Sequence, residues 1–233
     1  MKNERDILNS RLYIITNNIT NLFMANLYFM LTISPLIIYF IITQGHVSLR
    51  GILVLSILIG PALSTLFSTM GKLAREGEIS VTRDFFHFYK LNLFQGIVIG
   101  TILNVIIGIS YFDMGYFMAK GSNFIGYIFL AIIIFSILIQ FYIYPVISRY
   151  NIKIIHAFKI SLNLLIKKVY ISISCLSLII IVLAIIRFAQ ISLIGLLFGA
   201  SIICYLIMKI EDKTISELQE EIEKQYNSKK DFV

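Results

Sequence analysis

Charge is what this chain has least of. Acidic and basic residues make up 14% of its 233 positions, where soluble domains carry about 25%. Hydrophobic residues make up 58%, with mean hydropathy +0.86. So much apolar surface does not fit inside a soluble core of this size; it needs lipid as solvent. Tryptophan is absent, and there are three prolines and two cysteines. Cys175 and Cys204 both lie inside apolar runs. That excludes a disulfide framework and leaves them as small buried residues. The first twenty residues hold Glu4, Asp6, Asn17 and Asn18 rather than a short apolar core and a small-residue cleavage site. No cleavable signal peptide is expected, and the first span is expected to act as its own insertion signal.

What is present is a set of six apolar stretches, at 22–42, 51–70, 93–111, 124–147, 169–186 and 190–208. Each is of a length to cross roughly 30 Å of hydrocarbon at about 1.5 Å per residue. Lys and Arg gather in alternate gaps. The N-terminal arm has Lys2, Arg5 and Arg11; the second gap has Lys72, Arg75, Arg83 and Lys90. The fourth has Arg149, Lys153, Lys159, Lys167 and Lys168, and the tail has Lys209, Lys213, Lys224, Lys229 and Lys230. The opposite side has only Arg50, Lys120 and Arg187, which makes 3 of the 20 basic residues. Positive residues stay in the cytoplasm, so both termini are expected inside. The net charge of +7 then reflects topology and attraction to anionic lipid, not a nucleic-acid partner. Outer loops are short, near 43–50, 112–123 and 187–189, so function is expected on the cytoplasmic side.

The two inner gaps share a pattern. Each follows a proline placed near the end of a span, Pro61 in Gly60-Pro61-Ala62 and Pro145 in Tyr144-Pro145-Val146, and each then turns amphipathic. In the second gap Ile155, Phe158, Leu162, Leu165 and Val169 recur at helical spacing, with Lys153, His156, Lys159 and Asn163 on the other face. In the first, Val81, Phe85, Phe88 and Tyr89 are the apolar set and Arg83, Asp84, His87 and Lys90 the polar one. Both predict interfacial elbow helices lying along the inner leaflet. The unit span–elbow–span occurs twice in the same direction, a parallel repeat of a kind common in membrane folds. After Met208, Ile215, Leu218 and Ile222 form a thin stripe among glutamates, which predicts a short solvated helix. The expected fold is an all-α membrane protein. It has six transmembrane helices and two cytoplasmic amphipathic elbow helices, with both termini inside. Residues 1–208 form one transmembrane domain and 209–233 a short cytoplasmic helical tail.

Span association in lipid relies on small residues and interhelical hydrogen bonds. The third span offers Gly96, Gly100, Asn104 and Gly108 at four-residue spacing; the second offers Gly60, with Pro61 beside it, Ser64 and Ser68; the sixth offers Gly195 and Gly199. Intramolecular packing is the expected use of these stripes.

Chemistry finds little to work with. No Asp, Glu, Lys, Arg or His falls in the middle of any stretch, which argues against proton relays, ion-coupled carriers and voltage sensors. His46, His87 and His156 lack metal-ligand spacing. No phosphate-binding or dinucleotide fingerprint is present. Asp113 is the only outer acid, and Glu76, Glu78 and Asp84 lie among Arg75, Arg83 and Lys90 as a solvated charged loop. No catalytic, cofactor or metal residue is assigned. The amides Asn26, Gln95, Asn104 and Gln140 remain within the spans. They are expected to bridge helices, and Asn104 with Gln140 is the pair that could contact a neutral solute.

The elbows carry a family resemblance. The first reads Gly60-Pro61-Ala62, then Lys72-Leu73-Ala74-Arg75-Glu76-Gly77-Glu78, then Asp84-Phe85-Phe86-His87-Phe88-Tyr89-Lys90; the second reads Tyr144-Pro145-Val146-Ile147-Ser148-Arg149-Tyr150. This resembles the YesL-like family of bacterial integral membrane proteins, whose molecular function is unknown. Its members often place Trp in the basic segment, where this chain has Leu73. The resemblance implies an accessory role in bacterial carbohydrate uptake by an ABC transporter or in its regulation by a sensor kinase. An ABC permease itself is a neighbouring possibility, but neither elbow has the Glu-Ala-Ala segment and glycine of a coupling loop. The expectation is a non-enzymatic accessory protein of the bacterial cell membrane that docks its partner through Arg75, Glu76, Asp84, Phe85, Phe88, Lys90, Arg149, Tyr150 and Phe158. The alternative is a small facilitator for a sugar or polyol, lined by Asn104 and Gln140.

Overall fold

In a computed structural model, residues 11–44, 57–150 and 152–230 are described, with backbone alone at 11–12 and 218–230. Among them there are eight helices and no strand. In chain order they are α1 (Arg11–Thr32), α2 (Ser34–Ile42), α3 (Ile59–Glu76), α4 (Val81–Ala119), α5 (Asn123–Arg149), α6 (Ile154–Lys167), α7 (Val169–Phe188) and α8 (Ser192–Lys230). By length and composition α4, α5, α7 and the Ser192–Glu217 part of α8 are fit to cross a membrane, and α1 with α2 makes a fifth if that bent pair is one span.

The expected first span is broken. α1 and α2 meet at 60° across Ile33. Pro35, in the first turn of α2, has no N–H to give the carbonyl four residues back. That carbonyl, Leu31 O, accepts instead from Ser34 Oγ at 2.8 Å. Tyr28, a third of the way along the expected span, is hydrogen-bonded at 2.9 Å to Thr82 at the start of α4, one of the elements that carry the basic gaps.

α3 stands where the second span is expected, although 51–56 lie outside the described residues. It has 18 residues, about 27 Å of helix, and falls short of the other candidates in apolar length. Its use is central packing: it touches α1, α4, α5 and α8, and 12 of its residues are buried. Small side chains permit this. Its buried hydroxyls are satisfied within the helix: Ser64 and Thr65 donate to Pro61 O at 3.0 and 2.7 Å, Ser68 to Ser64 O at 2.8 Å, and Thr69 to Thr65 O at 2.9 Å. Pro61 sits in the first turn of α3, where its missing N–H costs nothing; it opens this helix and does not end a span.

The crossing of α3 and α4 is made of glycine. A Cβ on Gly96 would lie 2.6 Å from Pro61 Cα, and one on Gly100 2.5 Å from Gly60 Cα; a Cβ on Gly60 would strike the Gly96 carbonyl. Intramolecular packing is therefore what Gly60, Pro61, Gly96 and Gly100 do. Asn104 and Gly108 continue the stripe half-buried beyond this crossing. On α8, Gly195 lies against Ile186 of α7, whose nearest atom is 2.7 Å from a built Cβ, while at Gly199 the same side chain is 3.9 Å away.

Two boundaries differ from expectation. The first elbow is not a separate helix. It is the opening of α4, a continuous helix of 39 residues, because no proline or glycine interrupts Val81–Gln95. Asn92, at the expected joint, is buried and donates to Ser68 Oγ at 2.7 Å. The tail helix is likewise continuous with the sixth span in α8. Cys204, Ile207, Met208, Glu211, Thr214 and Ile215 keep a buried face well beyond Met208. The second elbow is a distinct helix, α6. Tyr150 is extended before it, and Lys168 breaks the helix after it. Its buried face runs through Ala157, Ser161, Leu164 and Leu165, not along the whole expected stripe; Ile155, Leu162 and Ile166 are exposed beside His156 and Lys159.

Candidate functional site

Three helix ends converge on a cavity of about 330 Å³. The end of α3 supplies Lys72, Arg75 and Glu76; the opening of α4 supplies Phe88, Leu91, Asn92 and Gln95; the end of α5 supplies Ile147, Ser148, Arg149 and Tyr150. The first elbow, which opens α4, and the end of α5, some sixty residues on in sequence, thus line one cavity, while the second elbow helix, α6, does not reach it. α3 brings its basic turn here because Gly77, at φ 76°, ends the helix in a conformation that favours glycine; its N–H caps Leu73 O at 3.0 Å.

Ion pairs tie the walls together. Lys72 Nζ lies 2.9 Å from Asp84 and 3.8 Å from Glu76, and Arg149 Nη1 lies 3.0 Å from Asp212 on α8. Gln95 donates to Ile152 O at 2.9 Å, and the Tyr150 hydroxyl donates to Ile215 O at 3.1 Å. Desolvation, then the neighbouring positive charge of Arg149, holds the Arg75 guanidinium below its ordinary value. A second, larger groove of about 830 Å³ shares Lys72 and Phe88 with this cavity. It adds Tyr13, Asn17, Glu78, Arg83, Asp84 and His87.

Of the docking residues expected from sequence, Arg75, Glu76, Phe88, Arg149 and Tyr150 line this one cavity, and Asp84 reaches it through Lys72. Three do not belong to its surface. Phe85 is fully buried and packs against Tyr28, the rings tilted at 44° with centres 5.6 Å apart; it is a core residue, because it faces α1. Lys90 is exposed on the far side of its turn, and Phe158 packs half-buried against the core from α6. The solute pair Asn104 and Gln140 lines neither cavity. Amide bridging is seen instead at Asn26, whose Nδ2 donates to Leu196 O at 2.7 Å and whose Oδ1 accepts from Ser201 N at 3.2 Å, and at Gln95.

Two residues escaped sequence reading. Asp212 holds Arg149, and Glu211 is completely buried, with Cys175 Sγ 3.9 Å from its Oε1 and no partner for its Oε2 among the described residues. The signal was the buried spacing from Cys204 to Ile215, which runs on past the last apolar stretch. Near Glu211 sits a polar chain: Ser172 donates to the Tyr142 hydroxyl at 3.1 Å, and Tyr142 to Lys168 O at 2.8 Å. Among the described residues no group of His, Cys, Asp and Glu is arranged to hold a metal ion.

Helices of membrane-crossing length, closed at one end around a basic cavity, define an α-helical protein of membrane-spanning type. Residues 22–114 match the family described as "Protein of unknown function, DUF624". The match includes the glycine crossing and the walls given by α3 and α4, and stops short of α5. No curated protein and no solved structure matches the chain.

Proposed function

We propose that this chain is a non-enzymatic accessory protein of the bacterial cell membrane. In this reading it has six spans and both termini in the cytoplasm, and it docks a partner at its basic cavity. The observation that carries it is the convergence of the end of α3, the opening of α4 and the sequence-distant end of α5 on one set of charged and aromatic residues, Arg75, Glu76, Phe88, Arg149 and Tyr150. The lopsided distribution of Lys and Arg supports placing that end inside, and the short outer loops leave little surface for a partner elsewhere. The YesL-like resemblance of the two elbows supports a partner from carbohydrate ABC uptake or from the sensor kinase that regulates it. No catalytic residue is assigned, and the facilitator reading gains no support from the placement of Asn104 and Gln140.

Affinity purification from native membranes in mild detergent tests this. Transporter or kinase subunits should accompany the wild-type chain and be lost with Phe88→Ser. Wild-type protein recovered free of both classes of partner defeats the reading.

A further inference from the structure

The cavity between α3, α4 and α5 carries three cations, Lys72, Arg75 and Arg149, against one acid, Glu76. Lys72 and Arg149 each have a carboxylate outside or at its rim, Asp84 at 2.9 Å and Asp212 at 3.0 Å. Arg75 has none within ion-pair distance among the described residues; it feels the positive charge of Arg149, against smaller opposing pulls from Asp212 and Glu76. With three cations against Glu76 inside the cavity, the excess positive charge beside it favours an anion there. An arginine fork matches phosphate oxygens with two parallel hydrogen bonds, and Arg149 spends one of its five donors on Asp212. The amide nitrogens of Asn92 and Gln95 each give one N–H to the protein, to Ser68 and Ile152, and keep a second, so the cationic groups supply most of the remaining donors in the cavity.

We propose that this cavity binds a phosphate group, with Arg75 as its principal ligand and Lys72 and Arg149 flanking it. The volume of about 330 Å³ admits a phosphate together with a glycerol- or sugar-sized substituent. Two sources share this chemistry: the headgroup of an anionic lipid, since basic pockets between helices at the cytoplasmic face take such headgroups, and a soluble phosphate ester. The proposal does not depend on a protein partner docking here.

The test is protection of Arg75 from an arginine-specific dicarbonyl reagent, read by peptide mass spectrometry on the purified wild-type chain. Exposed Arg187, at the opposite end of α7, is the internal control. Inorganic phosphate in detergent is one arm; nanodiscs of phosphatidylcholine with and without phosphatidylglycerol are the other. Saturable protection of Arg75 and not of Arg187 by inorganic phosphate identifies a soluble ligand; protection only by phosphatidylglycerol identifies a headgroup. Protection by neither probe, or equal protection of both arginines, overturns the site. Arg75→Gln should weaken binding of the effective probe about tenfold, the loss expected for a hydrogen bond to a charged group. Lys90→Gln should leave it unchanged. The protection assay uses wild-type protein and decides the matter even if Arg75→Gln does not fold.

Discussion

Phe85 and Phe88 lie three residues apart on α4 and look alike in sequence, yet they do different work. Phe85 is sealed against Tyr28 of α1; Phe88 is half-buried on two cavities. Phe85→Ala should cost about 3–5 kcal/mol, seen as a lower Tm and poor recovery in detergent. Phe88→Ala should cost far less, and equal losses at the two positions would contradict this division. Glu211 poses the opposite case. A buried oxygen without a partner costs roughly 1–3 kcal/mol, so Glu211→Leu, which removes it at similar volume, should raise Tm. A fall in Tm would show that Glu211 Oε2 has a partner beyond the described residues.

Among the elements, α3 is the one whose composition and position explain each other. Its glycines, serines and threonines make it less apolar than the helices fit to cross a membrane, and thin enough for four neighbours to close on it. Its crossing with α4 leaves no space for a methyl group at Gly60, so Gly60→Ala forces the helices apart at about 1–3 kcal/mol. Gly115, on the same α4, has open space around a built Cβ. There alanine removes only backbone freedom and should stabilise by about 0.5–1 kcal/mol. Thermal shifts of opposite sign for the two variants are the expected result. The long helices follow from an absence of punctuation: α4 and α8 run 39 residues each, about 58 Å, almost twice the hydrocarbon thickness. Each therefore carries its register from the apolar layer out to the charged end, which is how Asp84 meets Lys72 and Asp212 meets Arg149.

For the molecule as a whole, the charged ends of α3, α4, α5 and α8 gather on one side, and the link between α4 and α5 lies at the other. Because Cys175 and Cys204 are buried, the native thiols give little background for labelling with an impermeant maleimide. Ser122→Cys, in that link, should label on intact cells. Glu78→Cys, between α3 and α4, should label only after permeabilisation. The reverse pattern would invert the proposed orientation. The same pair bears on the span count, since it places α4 as a full crossing whatever the bent α1–α2 pair does.

Local composition determined which segments are helical and apolar, the helix-packing role of Gly60, Gly96 and Gly100, and the lopsided charge, because each follows from side-chain chemistry at fixed spacing along one helix. It also marked Arg75 and Arg149 as notable, but separately. Only the tertiary structure decided that they share a cavity, that Phe85 belongs to the core, and that Glu211 is buried and Asp212 pairs with Arg149 in what reads as a solvated tail. The physical reason is that burial depends on which neighbour covers a face. A helix reveals its own apolar stripe in sequence; the helix that packs on it is set by crossings such as Gly60 with Gly96 and Gly100, which bring residues dozens of positions apart into contact.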